Sequence, residues 1–206
     1  MVSSSTMLYW QNIDQICPQI HYLSDQEQER LCRLSPIQGE RFLRSRTFLR
    51  RVLGRYLQIQ PRSVPIIHTP NGKPILEGHS LYFNLSHSGN LIVIALNDRY
   101  PVGIDLEQIK PRSFLNLVDR YFAPFEQKWF HNLPDRQCLS LLFYRSWVCK
   151  EAYSKLLDIP LLKGLKELDT IPLLEDKIKT ISKETIVVFQ EGKIPGFRYA
   201  LAHRTF

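Results

Sequence analysis

Short turns of the hairpin type constrain this chain most strongly, because they decide how its strands can pair. Asn71-Gly72 is a favoured hairpin sequence that follows the strand-like segment 64–68. The turn-forming segment 86–90 lies in the same way between the strand-like segments 81–85 and 91–96. Hairpins join antiparallel strands, so the sequence favours antiparallel sheets over a doubly wound parallel sheet.

Helical patterns precede each group of strand patterns. The first predicted helix begins at Ser24, with Glu27 as its capping-box partner. The second carries apolar residues at helical spacing, with arginines between them that we place on the solvent side. The helices are predicted at 24–34, 36–57, 114–122, 124–133 and 138–157, and strands follow at 102–107, 185–190 and 197–203. Helices followed by strands, twice, predict an α+β fold with two related subdomains, residues 1–100 and 101–206.

The composition indicates a folded protein with a basic surface. Hydrophobic residues make up 44% of the 206 residues, and the net charge of +7 suits a polyanionic partner or ligand. No apolar run approaches the roughly 18 to 20 residues of a membrane span, and residues 1–12 lack a secretory signal pattern. The cysteines are too dispersed for a zinc site. We therefore expect a cytoplasmic protein with reduced thiols at Cys17, Cys32, Cys138 and Cys149.

Asp105 and Glu107 form the first candidate site. Two residues apart on a strand, they point to the same face, where paired carboxylates repel unless a cation or a proton lies between them. Oxygen ligands favour Mg²⁺ over Zn²⁺. The alternative is a strand end turned to solvent, where acidic residues are common.

The segment 147–155 forms the second candidate site. On a helix, Trp147, Glu151 and Lys155 lie on one face, with Lys150 beside Glu151. Glu151 would then be a third metal carboxylate, and the two lysines would bind phosphate. The alternative is an exposed Glu–Lys pair that stabilises the helix by about 0.3 to 0.5 kcal/mol, with Trp147 in the core.

Two turn segments offer donors to a phosphate. Ser86 and His87 precede a glycine that allows close backbone approach, and Lys73 follows the Asn-Gly turn. Each signal is weak alone, because polar turn residues and surface lysines are common.

Together, these motifs resemble the surfactin-type phosphopantetheinyl transferases. In chain order they are a basic helix, G-K-P, F-N-x-S-H-x-G, V-G-I-D-x-E, F-x-x-x-E and W-x-x-K-E-x-x-x-K, within residues 23–203. The resemblance implies two similar α+β subdomains in a pseudo-twofold arrangement with the active site between them. It also implies a monomer, since a chain with both halves can build its site alone.

The resemblance further implies an activity. This is the Mg²⁺-dependent transfer of phosphopantetheine from coenzyme A to a serine of an apo acyl or peptidyl carrier protein, which releases 3′,5′-ADP. The metal carboxylates would be Asp105, Glu107 and Glu151, and the pyrophosphate would lie beside Lys150 and Lys155. The charge of +7 suits both coenzyme A and an acidic carrier protein.

The same resemblance assigns contacts to the coenzyme A nucleotide. These are Ser86, with Lys73 and His87 near the 3′-phosphate, and further basic contacts from Arg30, Arg41 and Arg46. Glu126 matches a glutamate that is sometimes assigned as the general base. The base stays open among Glu126, Glu151 and a water on the metal.

Two other functions are compatible with parts of the pattern. A Mg²⁺-dependent phosphohydrolase could use the same carboxylates, and it would release free phosphopantetheine without a carrier protein. A nucleic-acid-binding module is suggested by the arginine helix, but it leaves the acidic motif unexplained. We therefore expect neither a nucleic acid nor a membrane as partner.

Overall fold

A computed structural model describes residues 6–135, 138–175, 180–181 and 186–205 of the chain. The helices are α1 (Asp25–Cys32), α2 (Pro36–Leu57), α3 (Phe114–Tyr121), α4 (Pro124–His131), α5 (Leu139–Leu157), α6 (Leu161–Glu167) and α7 (Ile171–Leu174). The strands are β1 (Met7–Asn12), β2 (Ile66–His68), β3 (Pro74–Leu76), β4 (Tyr82–Ser88), β5 (Leu91–Asn97), β6 (Val102–Gln108), β7 (Thr180–Ile181), β8 (Ile186–Ile194) and β9 (Phe197–Thr205). The fold is mixed α/β.

The first part of the chain builds an antiparallel sheet with α2 on one face. The strand order is β1-β5-β4, and β5 pairs with both neighbours. Alternate residues of β5 serve two cores, because successive side chains of a strand point to opposite faces. Ile92 and Ile94 pack in a cluster with Leu49 and Leu53 of α2. Val93, on the other face, packs in a cluster with residues of β6 and β9.

The second part of the chain builds a sheet of order β6-β9-β8-β7, whose described pairs are antiparallel. Helix α5 packs on it through Val148 and Ala152, which lie in one cluster with Ala200 and Ala202 of β9. Gly103 of β6 permits this packing, because a Cβ built there would lie 2.1 Å from the carbonyl oxygen of Ala152. A strand glycine at this point therefore lets the α5 backbone approach the sheet closely.

The structure confirms the antiparallel pairing predicted from the turns. Strands β2 and β3 form a hairpin around Asn71-Gly72, with Gly72 at φ +85°. The predicted turn at 86–90 is wrong in part, because residues 86–88 continue β4 and only Gly89-Asn90 turn. The predicted strand at 185–190 runs from Ile186 to Ile194, and residue 185 lies outside the described residues.

The predicted helices are present, with ends within two residues of those expected. The expectation that the α2 arginines face solvent is wrong for Arg50, which is 1% exposed. Its guanidinium pairs with Glu27 of α1 and donates to the carbonyl oxygens of Pro61 and Val64. Within the described residues, no helix combines the length and apolar character needed to cross a membrane.

Candidate functional site

Three carboxylates meet where β6 faces α5. Asp105 and Glu107 project from one face of β6 and Glu151 projects from α5, and one oxygen of each lies within 4.8 Å of the others. The buried Oδ2 of Asp105 makes no hydrogen bond with any described residue. Three acidic groups at this distance, with a free buried oxygen, form a donor set suited to a hard divalent cation.

The electrostatics of the cluster show an excess of negative charge. Burial, followed by the charge of Asp105, raises the pKa of Glu151 to about 8 and raises that of Glu107 above its ordinary value. The nearest cation is Lys155, whose Nζ lies 2.6 Å from Oδ1 of Asp105 and 3.9 Å from Glu151. Burial alone would lower the pKa of Lys155, but Asp105 and Glu151 outweigh it and raise that pKa. One lysine thus partly neutralises three carboxylates.

Strand β4 supports the cluster through two serine hydroxyls. Ser86 Oγ donates to Asp105 Oδ1 at 2.9 Å, and Ser88 Oγ donates to Glu107 Oε2 at 2.9 Å. Ser86 Oγ also accepts from Lys155 Nζ at 3.1 Å. Residues separated by two on β4 therefore hold residues separated by two on β6.

A cavity of about 560 Å³ opens beside the carboxylates, and basic side chains also line it. Arg30, Arg41 and Arg46 line it together with His87 and Lys155. The Arg30 and Arg46 guanidinium carbons lie 5.2 and 5.3 Å from the centre of the Phe42 ring. Arg41 donates to the carbonyl oxygen of Gly89 at 2.9 Å. The cavity thus offers cations for an anionic group next to carboxylates for a metal.

Two basic side chains that line the cavity have lowered pKa values. Partial burial, together with Arg41 and Lys155, lowers the pKa of His87. Burial also lowers the pKa of Arg46, although Glu27, 3.7 Å away, opposes the effect. Burial is the largest cause of both shifts, and neighbouring cations add to it.

Comparison with known proteins identifies the family to which this chain belongs. Residues 101–201 match the family described as the 4'-phosphopantetheinyl transferase superfamily, and residues 9–99 match the N-terminal domain of 4'-phosphopantetheinyl transferases. The chain belongs to the 4'-phosphopantetheinyl transferase superfamily. The family predicted from the motifs is confirmed at this level.

Individual relatives agree with the family match. The 4'-phosphopantetheinyl transferase HetI of Nostoc sp. is 43% identical over 125 residues, which cover 58% of this chain and 52% of the relative. A putative 4'-phosphopantetheinyl transferase of Synechocystis sp. is 37% identical over 124 residues, 58% of this chain and 50% of the relative. The mouse L-aminoadipate-semialdehyde dehydrogenase-phosphopantetheinyl transferase is 28% identical over 176 residues, 74% of this chain and 57% of the relative. The chain spans about half the length of the first two relatives.

The transferase resemblance places Lys73 at the 3′-phosphate. In this structure its ammonium group hydrogen-bonds to the C-terminal end of α5. Its Nζ donates to the carbonyl oxygens of Lys155 at 2.6 Å, Leu156 at 3.3 Å and Val102 at 3.4 Å. Cations are favoured at helix C-termini, where carbonyl groups lack partners. Lys73 is not among the described residues that line the cavity of about 560 Å³, but with Glu151 and Lys155 it lines a second cavity of about 320 Å³.

Glu126 and Lys150, both predicted to act in phosphopantetheinyl transfer, are buried in this structure. Both side chains are 0% exposed, and they pair at 2.8 Å. Lys150 also donates to the carbonyl oxygens of Leu165 and Leu168, while Glu126 accepts from the Thr170 hydroxyl at 2.8 Å. Neither is among the described residues that line the cavity. Lys150 is rotated about 100° from Glu151 around the helix, so it points away from the carboxylate cluster. Roles for Lys150 at the pyrophosphate and for Glu126 at the reacting serine stay predictions.

Sequence reasoning missed two polar side chains of β4, Asn84 and Ser88, of which Ser88 contacts the carboxylate cluster. Asn84 Oδ1 accepts from the backbone N–H of Ile104 at 2.9 Å, in the same manner in which Ser88 Oγ accepts from Gln108. A signal was present, because polar residues recur at 84, 86 and 88 with the period of a strand. The assignment of 86–90 to a turn concealed that period.

Proposed function

We propose that this protein is a surfactin-type 4'-phosphopantetheinyl transferase that modifies a serine of an apo acyl or peptidyl carrier protein. The observation that carries the proposal is the cluster of Asp105, Glu107 and Glu151 at the edge of an arginine-lined cavity. Coenzyme A combines a pyrophosphate, which needs a divalent cation, with a 3′-phosphate, which needs cations of the protein. The cavity supplies both requirements side by side.

Asp105, Glu107 and Glu151 would hold Mg²⁺. Their oxygens suit a hard cation, and the unpartnered Oδ2 of Asp105 provides a buried position for it. When bound, the ion would stabilise the negative charge that develops on the phosphoryl oxygens. The three carboxylates carry more negative charge than the ammonium group of Lys155 can neutralise, and a divalent cation would compensate the rest.

Basic side chains would bind and orient coenzyme A. Arg30, Arg41, Arg46 and His87 line the cavity, and we assign the 3′-phosphate to these side chains. Lys155 lines the same cavity and pairs with Asp105, so its ammonium group would face the pyrophosphate. Charge on the departing 3′,5′-ADP would then be stabilised by a group already in place.

The transfer itself exchanges one phosphorus–oxygen bond for another. The serine oxygen of the carrier protein forms a bond to the β-phosphorus of coenzyme A, and the bond from that phosphorus to the bridging oxygen breaks. The serine proton needs an acceptor. Of the two candidate glutamates, Glu151 lines the cavity and Glu126 is buried against Lys150, so we assign the proton to Glu151.

We also propose that residues 1–100 and 101–206 form pseudo-twofold halves and that the protein acts as a monomer. Two family matches that meet between residues 99 and 101 support the boundary. Each half contributes an antiparallel sheet with a long helix packed on it. The cavity combines residues of both halves within one chain, so a second copy is not needed to complete it.

Mass spectrometry of apo carrier proteins tests the function. We expect an acyl or peptidyl carrier protein to gain one phosphopantetheine when incubated with coenzyme A, Mg²⁺ and this protein. Replacement of the target serine by alanine in the carrier, omission of Mg²⁺ and the variant Asp105→Ala should each abolish the gain. Release of free phosphopantetheine in the absence of a carrier would instead identify a phosphohydrolase.

A further inference from the structure

Strands β4 and β6 contact each other through side chains of β4 instead of backbone pairing. Asn84, Ser86 and Ser88 accept hydrogen bonds from the backbone N–H groups of Ile104, Leu106 and Gln108, at 2.9, 3.2 and 3.0 Å. Both sets of residues advance by two in the same direction, so the strands run parallel in register. These three contacts form a polar ladder between the two parts of the chain.

Ser88 does more in this ladder than satisfy a backbone group. Its hydroxyl accepts from Gln108 and donates to Glu107 Oε2 at 2.9 Å. A hydroxyl has one proton, and the bond from Gln108 directs that proton towards Glu107. The carboxylate of Glu107 is thereby restricted to one orientation relative to Asp105.

We propose that Ser88 is a positioning residue for the metal site, which holds the Glu107 carboxylate where it can share a divalent cation with Asp105 and Glu151. Partners that hydrogen-bond to a metal ligand fix its orientation and strengthen binding, and their loss typically weakens metal affinity by about 10- to 100-fold. This inference rests on the proposed function, because it requires that the three carboxylates bind a metal.

Asn84 separates positioning of a ligand from joining of the strands. Like Ser88, it satisfies a backbone N–H of β6, but its contact in the ladder ends at that backbone and reaches no carboxylate among the described residues. If the ladder only joined the strands, loss of either side chain would affect metal binding alike. If Ser88 positions Glu107, only the serine variant should lose affinity.

Ser86 is the less informative member of the ladder. Its hydroxyl accepts from both Leu106 N and Lys155 Nζ and donates to Asp105, so a substitution would disturb a lysine and a carboxylate together. Ser88 contacts a carboxylate without contacting a lysine in the described part of the chain, so it gives the cleaner test.

The experiment is a titration of the full chain with Mn²⁺, in which free Mn²⁺ is followed by electron paramagnetic resonance without coenzyme A or carrier protein. Wild type, Ser88→Ala, Ser88→Thr and Asn84→Ala are compared, each after a thermal melt has confirmed that it is folded. Asp105→Ala identifies the signal from this site. We expect the Mn²⁺ dissociation constant of Ser88→Ala to rise by about tenfold. Ser88→Thr, which keeps the hydroxyl, should recover most of the affinity, and Asn84→Ala should change it by less than about twofold.

Each outcome assigns a role. Equal losses in Ser88→Ala and Asn84→Ala would reduce Ser88 to a strand-joining residue, and unchanged affinity in Ser88→Ala would exclude any positioning role. Should the Asn84 variant fail to fold, lack of recovery by Ser88→Thr overturns the inference instead. A wild-type protein that binds no Mn²⁺ would contradict the metal site, and with it both the proposed function and this inference.

Discussion

Lys155 combines two tasks at one position. Its ammonium group lies 2.6 Å from a carboxylate that is only 2% exposed, and it faces the cavity proposed for coenzyme A. A surface ion pair on a helix stabilises by a few tenths of a kcal/mol and has no effect on turnover. The position of Lys155 within the acidic cluster predicts larger effects on both.

Lys155→Ala should lower kcat by roughly a hundredfold, as expected for the loss of one preorganised charge contact. It should also lower the free energy of unfolding by about 1 to 3 kcal/mol in EDTA, because Asp105 loses a buried cationic partner. Mg²⁺ should restore most of the stability but not the turnover. Single-turnover transfer and urea melts with and without Mg²⁺ measure both, and Lys163→Ala, an exposed lysine of α6, is the control. Turnover near that of the wild type would return Lys155 to the role of a surface ion pair.

Lys73 gives a pH dependence with a definite sign. Burial lowers its pKa to about 8, below its ordinary value of 10.5, so the folded protein releases this proton more readily than the unfolded chain. Between these two pH values the unfolded state binds more protons, and stability rises with pH. Relative to Lys73→Met, wild type should therefore gain roughly 2 kcal/mol in unfolding free energy between about pH 7.5 and 9.5. Denaturant melts of both proteins across this range measure it, and parallel pH curves would contradict the burial of a charged Lys73.

Strand β6 and helix α5 form the element pair that assembles the acidic cluster. Gly103 precedes Asp105 by two residues on the same face of β6, and a Cβ there would meet the α5 backbone at Ala152 and Leu156. The close approach brings Glu151 of α5 to Asp105 of β6. A side chain at Gly103 would push the helix away from the strand.

Gly103→Ala should therefore destabilise the protein by roughly 1 to 3 kcal/mol, the usual range for overpacking. Any folded fraction should bind Mn²⁺ more weakly, because Glu151 moves away from the other two carboxylates. Thermal melts and Mn²⁺ titration check the two effects. Gly39→Ala in α2, where an added Cβ would lie 3.3 Å from the Leu31 side chain as its nearest neighbour, controls for glycine replacement. A Gly103→Ala protein with wild-type stability and Mn²⁺ affinity would show that a methyl group fits between β6 and α5 without moving the helix.

Helix α5 also has an inner face, on which Lys150 pairs with Glu126 of α4. A buried ion pair can often be replaced by uncharged residues without loss of stability, whereas removal of one partner leaves an uncompensated charge and costs about 3 to 5 kcal/mol. Lys150→Met alone should thus be strongly destabilised. The double variant Glu126→Gln/Lys150→Met should regain most of that stability, since the new amide keeps an acceptor for Thr170.

The same double variant decides whether the pair takes part in chemistry. Because both side chains are fully buried outside the described cavity lining, we expect its transfer rate to stay within about threefold of wild type, a loss below about 1 kcal/mol. Single-turnover transfer at saturating coenzyme A measures the rate. A folded double variant that transfers a hundredfold more slowly would place Glu126 or Lys150 back in the reaction.

The whole molecule carries a net charge of +7, and arginine and lysine side chains line its cavity beside the carboxylates. An acidic carrier protein should be steered to such a surface, and salt screens this attraction. With coenzyme A saturating, kcat/KM for the carrier should fall on the order of tenfold between about 50 and 500 mM NaCl. The value of kcat should change by less than about twofold. Stopped-flow or steady-state transfer assays measure both constants. A carrier variant with its acidic side chains neutralised should lose the salt dependence, and equal slopes for both carriers would argue against steering.

Local sequence is enough to predict the helices, the hairpins and the side-chain faces on which Asp105, Glu107 and Glu151 lie. Hairpin residues such as Asn71-Gly72 specify antiparallel pairing through backbone conformations that only a few residues adopt. Asp105 and Glu107 share a face of β6 because side chains alternate along any strand, and Glu151 and Lys155 share a face of α5 because four residues make about one turn. These relations depend on a few neighbouring residues, so they are readable without the fold.

Which side chains reach the cavity depends on how distant elements pack. Lys150 and Glu151 are adjacent in sequence, yet Lys150 enters the core and Glu151 faces Asp105. The reason is that α4 supplies Glu126, and α6 with the residue after it supplies carbonyl groups, for a buried ammonium group. Lys73 hydrogen-bonds to the C-terminal end of α5, and Ser88 hydrogen-bonds to Glu107. Each partner is at least 19 residues away in the sequence. The roles of these residues depend on the free energy of pairing buried charges and polar groups, and that pairing exists only after distant elements have packed together.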